Sequence, residues 1–142
     1  MELKINQLRI GNWVKPNNSS GIESNEGTVF SINNHLVSVS PNRNPYDIHL
    51  VDPINLTNDW FSKFGFDVID DQYFSKHTRC GIGGLGITMK NHLPMVLVVD
   101  ERQYDGIYRQ VIGKQIKYVH ELQNLYFALT GEELEVRNEK DK

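Results

Sequence analysis

The chain has 142 residues, of which 39% are hydrophobic and 23% charged, with a net charge of −3. Leu, Ile, Val and Phe together number 42, enough apolar mass for a packed core, which excludes general disorder and fits one domain or two small modules. No apolar run exceeds the five residues found from Met95 to Val99, far short of the roughly 20 a membrane helix needs, and Met1-Glu2-Leu3-Lys4 lacks the basic-then-apolar order of a secretory leader.

The first third reads as β-structure. Leu8, Ile10, Trp13 and Val14 cluster around Gly11, and the polar stretch Lys15 to Glu26 predicts a loop of about a dozen residues. Thr28 to Ile32 and Leu36 to Val39 predict two strands joined by a tight turn at Asn33-Asn34-His35, because asparagine tolerates positive φ. Pro41 to Pro45 reads as a further loop and Tyr46 to Val51 as a further strand. Short strands at this density predict an SH3-like β-barrel module over residues 1–55.

Leu56 to Phe66 carries the clearest local signal. Thr57 stands at an N-cap position, Leu56 and Phe61 have hydrophobic-staple spacing, and Asp59 suits the positive end of the helix dipole. Trp60, Phe61 and Phe64 share a face, read as core, and Gly65 is a left-handed stop. Strands are then expected at Gln72 to Ser75, Gly86 to Lys90 and Met95 to Val99, the last apolar on both faces and therefore central. Asp100 to Gly113 reads as a polar and aromatic loop. Val119, Leu122, Leu125, Tyr126 and Leu129 fall on one helical stripe that ends at Gly131. The expected class is α+β: the SH3-like module, then residues 56–136 as a short central helix, a β-meander and a C-terminal helix sharing one core, then 137–142 as a mobile charged tail. One alanine and 14 asparagines argue against a helical bundle.

Chemistry-bearing motifs are sparse. A single cysteine, Cys80, leaves no intrachain disulfide and suits a reducing cytoplasm. Gly81 to Gly86 spells G-x-G-x-x-G, but polar residues precede it and strand-like ones follow, so it reads as a glycine-rich hairpin and not as a dinucleotide site. His77, Cys80 and His92 lack the tight spacing of a zinc set, His35, His49 and His120 look isolated, and the carboxylate pairs Asp70-Asp71 and Asp100-Glu101 lie at strand–loop junctions. No nucleophile stands in a recognisable context. The expectation is a non-enzyme without metal or cofactor.

Charge is uneven. Residues 71–120 carry 7 basic and 4 acidic side chains, net +3, between flanks of net −3 each. Within this segment Arg102, Tyr104, Tyr108 and Arg109, followed by Lys114 and Lys117, interleave cations with tyrosines. Such residues supply stacking and forked hydrogen bonds at recognition surfaces, so these six are the expected partner-binding set.

Three segments resemble a family of small proteins found in Bacteroidota genomes, prophages and phages: Leu8-Arg9-Ile10-Gly11-Asn12-Trp13-Val14, then Pro53-Ile54-Asn55-Leu56-Thr57 with Trp60 and Lys63-Phe64-Gly65-Phe66, then Val119 to Leu134. The family carries no assigned catalytic residues, and Arg79 to Gly86 and Asp100 to Gly113 do not follow its pattern. The resemblance implies a phage-derived inhibitor of host defence, an anti-CRISPR protein being one such class, by analogy of genomic context and not of a site. The expected function is binding of a host protein or ribonucleoprotein such as an immune nuclease, in the bacterial cytoplasm. The alternatives are a module for RNA or single-stranded nucleic acid, and a sponge for a nucleotide signal.

Overall fold

The computed structural model describes residues 3–17, 26–41, 43–70, 73–79, 84–90, 93–99, 107–111 and 114–136. It is an α+β protein, and the described residues form two five-stranded antiparallel sheets and two α-helices. Packing divides the chain into one unit of Met1–Asn55 with Tyr118–Asn124 and another of Leu56–Lys117 with Leu125–Lys142. The charged tail expected at 137–142 lies outside the described residues.

The first unit holds β1 (Trp13–Pro16), β2 (Gly27–Asn33), β3 (Leu36–Val39), β4 (Asn44–Asp47) and β5 (Val51–Pro53), in the sheet order β4-β3-β2-β1-β5. Inward-facing residues alternate along the strands, and Val14, Val29, Val37, Val39 and Val51 join Leu3, Leu8 and Ile48 in one apolar core. The β2–β3 turn falls where the asparagines place it, with Asn34 at φ 53°. The strand expected over Tyr46 to Val51 is instead divided. Asp47 accepts the His49 main-chain N–H through its side chain and caps a 3-10 turn at Ile48–Leu50, which ends β4 and lets β5 pair with β1. Among the described residues β4 and β5 are the two edges and are not paired with each other, so the sheet is open.

Two bulges shape this sheet. Gly11 N–H donates to the Val29 carbonyl while Val29 N–H donates to the Asn12 carbonyl, so two residues oppose one. Gly11 takes φ 98° there, and a Cβ at Gly11 would meet nothing within 4 Å, so backbone conformation and not space calls for glycine. The second bulge lies between Val29 and Ser31 against β3 and leaves Phe30 as the extra residue.

The second unit opens with α1 (Asn58–Lys63). Thr57 occupies its N-cap position, but its side chain makes no capping hydrogen bond, contrary to the sequence reading. The C-terminus ends as expected. Gly65 takes φ 81°, its N–H donates to Ser62, and Phe66 N–H donates to the Phe61 carbonyl, a Schellman closure. Trp60, Phe61, Phe64 and Phe66 are buried, with Trp60 tilted on Phe64 and Phe61 edge-on to Phe66.

The second sheet comprises β6 (Asp67–Asp70), β7 (Tyr73–Arg79), β8 (Gly84–Lys90), β9 (Leu93–Val99) and β10 (Ile107–Val111), in the order β10-β9-β8-β7-β6. It is a plain meander with long, regular β7–β8 and β8–β9 ladders. β9 lies inside the sheet, as the apolar run from Met95 to Val99 predicts.

The last element is α2 (Val119–Thr130), and Gly131 closes it at φ 72° by donating to the Phe127 carbonyl. Its start is capped by Glu121, whose carboxylate accepts the Tyr118 main-chain N–H at 3.1 Å. The buried residues are Val119, His120, Leu122, Gln123 and Tyr126, whereas Leu125 and Leu129 are only half-buried. The stripe predicted through Leu125 and Leu129 is therefore turned toward polar Gln123. Among the described residues no helix is long and apolar enough to cross a membrane.

Candidate functional site

The densest polar arrangement in the first unit joins residues 7–13 to the first half of α2. Gln123, 2% exposed, accepts the Trp13 main-chain N–H at 2.8 Å through Oε1 and donates through Nε2 to the Gly11 carbonyl at 2.9 Å. Asn124 Oδ1 accepts from Asn12 Nδ2 at 2.9 Å and from the Arg9 guanidinium at 3.0 Å, and its Nδ2 donates to the Gln7 carbonyl at 3.0 Å. Asn12, 1% exposed, turns its own Oδ1 to the Arg9 main-chain N–H at 2.7 Å. Buried amides of this kind are costly unless paired, and here both ends of the Gln123 and Asn124 side chains are paired.

Beside this clamp, Val119 N–H donates to the Ile54 carbonyl at 2.9 Å and Asn55 bridges to Tyr118.

His120 is the exception to polar satisfaction. It is 2% exposed, its ring is stacked on Tyr118 at 5.9 Å, and its Nδ1 has no hydrogen-bond partner among the described residues. Burial pushes its pKa below the ordinary imidazole value, opposed by the neighbouring Glu121 carboxylate.

His35 and His49, which look isolated in the sequence, both meet Asp47. Their Nε2 atoms lie 3.9 Å and 4.0 Å from its carboxylate oxygens on an exposed surface. Among the described residues no group of three His, Cys, Asp or Glu side chains is disposed to hold a metal ion. His77 lies on β7, and Cys80 and His92 fall outside the described residues. Gly84 and Gly86, the end of the glycine run, are part of β8, where Gly84 pairs with Arg79, so they lie on a strand and not at a helix start, whereas Gly81 and Gly83 lie outside the described residues.

The expected recognition residues divide in three ways. Arg102 and Tyr104 lie outside the described residues. Tyr108 and Arg109 are strand residues opposite Val98 and Leu97 on β10, not loop residues as the sequence reading had them. Ile107, Tyr108 and Val111 have the β-branched and aromatic character that a strand favours, which polar neighbours on either side disguise. Lys114 and Lys117 are exposed, and the Lys117 carbonyl accepts the Leu56 N–H. The sequence reading missed Phe30, 46% exposed on its bulge with the Arg43 guanidinium 4.5 Å from the ring centroid. The only signal for it in the sequence is one apolar residue too many in Thr28 to Ile32.

Comparisons of the chain with family models, with curated proteins and with solved structures give no match.

Proposed function

We propose that the chain is a non-enzymatic binding protein of phage or prophage origin. It engages and inhibits a host protein or ribonucleoprotein in the bacterial cytoplasm, an immune nuclease such as a CRISPR effector being the target class. The observation that carries this reading is the position of the expected recognition residues: Tyr108 and Arg109 on an edge strand, with exposed Lys114 and Lys117 following it. The order β4-β3-β2-β1-β5, with a 3-10 turn between β4 and β5, supports an SH3-like reading of the first sheet. The resemblance to proteins of mobile elements supplies the biological setting.

An affinity pulldown from the native host, in RNase-treated and untreated arms, tests the reading. A defined host partner in the treated arm supports it, and capture of nothing in either arm overturns it. A second reading, direct binding of RNA or single-stranded nucleic acid, is favoured by the two exposed lysines within a net-positive segment. That mode loses affinity steeply with salt and yields captured RNA in the untreated arm alone.

A further inference from the structure

Among the described residues the two sheets have four edge strands, and three of them are blunted. β4 holds Pro45, which donates no hydrogen bond. β5 has only three residues and ends in Pro53. β6 is broken by a register shift between Val68 and Asp70 and has an aspartate at each end. β10 has none of these devices. It pairs with β9 over Ile107–Val111 without a shift, holds no proline, and has no strand paired on its other side among the described residues. An open regular edge invites another chain to pair, and proteins generally blunt such edges unless they use them.

We infer that β10 is a docking edge that takes an extended, acidic segment of a partner protein as an added strand. Main-chain hydrogen bonds along β10 supply affinity, and charge selects the segment. The charge argument rests on Arg109 within the strand and on exposed Lys114 and Lys117 after it. A second copy of this chain is disfavoured as the occupant. Arg109 is the middle residue of β10, so a two-fold pairing of two such strands centred there sets Arg109 opposite Arg109, and like charges in that position repel. This inference rests on the binding reading above and adds the place and mode of contact.

The test uses the full chain and two labelled ten-residue peptides of equal charge, one alternating Thr and Glu, the other with alternate threonines replaced by proline. Binding is read by fluorescence anisotropy and amide hydrogen exchange. The expected result is binding of the first peptide alone, with exchange across Ile107–Val111 slowed about tenfold or more. Lys114→Glu with Lys117→Glu should weaken binding about fivefold or more, and added salt should weaken it too. Equal binding of both peptides, protection mapped to another strand, or protection of β10 that grows with protein concentration without peptide overturns the inference. The same exchange measurement on a partner recovered by pulldown separates the two proposals. A partner that leaves β10 unprotected defeats the edge but not the binding reading, whereas absence of any partner defeats the latter.

Discussion

Gln123 and Trp13 are tied by a hydrogen bond from the Trp13 main-chain N–H to the Gln123 side-chain oxygen at 2.8 Å, and the other end of the same amide reaches the Gly11 carbonyl, 112 positions away in the chain. One side chain thus takes the part of a neighbouring strand for the main chain at the entrance to β1. Its removal takes the Gln123 amide from a part-buried donor, the Trp13 N–H, and a part-buried acceptor, the Gly11 carbonyl.

Gln123→Leu should therefore destabilise the fold by about 2–4 kcal/mol, since each part-buried group that loses this amide costs about 1–2 kcal/mol. Leu125→Ala, at a half-buried position, should cost less, about 1–2 kcal/mol, below the range of fully buried leucines. Denaturant unfolding of both variants checks the order, which is the reverse of what hydrophobic periodicity alone predicts.

Gly27→Ala should be destabilising by about 2 kcal/mol or more. A Cβ at this position would overlap the Ser40 carbonyl oxygen, a main-chain atom of a residue whose N–H is held by the Thr28 carbonyl, so it cannot simply rotate aside. Gly11→Ala should also destabilise, through its positive φ and not through a clash. Thermal melts of the two variants, with circular dichroism of the folded baseline, measure both.

The buried imidazole makes stability depend on pH. The pKa of His120 is lowered in the folded protein, so between the unfolded value near 6.5 and the folded value the unfolded chain binds more protons. The contribution is present in full above about pH 6.5 and is lost as pH falls from there through the folded pKa. Unfolding free energies of the natural chain and of His120→Phe, measured from pH 7.5 to 5, should show a fall with acidity in the first that is smaller in the second. Parallel curves would assign the acid sensitivity to other groups.

Two exposed or buried aromatics give a further contrast. Trp60→Ala should cost about 3–5 kcal/mol, as truncation of a buried large aromatic does. Phe30→Ala, which loses mainly the contact with Arg43, should change stability by about 1 kcal/mol or less. Chemical denaturation of the two proteins distinguishes them.

Local signals were legible where a short stretch of chain decides the outcome. The aromatic spacing of Trp60, Phe61 and Phe64 with Gly65 placed α1 and its end, and Asn33-Asn34-His35 placed the β2–β3 turn. The 3-10 turn at Ile48–Leu50 was not, because it depends on one side-chain bond from Asp47 to a main-chain N–H two residues on. β10 was hidden because an edge strand needs no apolar alternation on a scale that periodicity detects. The clamp was invisible for a different reason. Gln123 and Asn124 look like surface residues of an amphipathic helix until their partners, more than a hundred positions earlier, are beside them.

The clamp sets an order of events during synthesis. Residues 7–13 leave the ribosome early, yet the side chains that satisfy their main chain arrive only with residues 123 and 124. The first sheet therefore emerges with its β1 entrance unfinished, and its completion waits on a loop closure spanning most of the chain, the kind of contact that slows folding. A nascent chain halted at residue 117 lacks Tyr118–Asn124, the part of the first unit that comes last in sequence. Supplied separately, a peptide covering α2 is the natural complement of such a fragment.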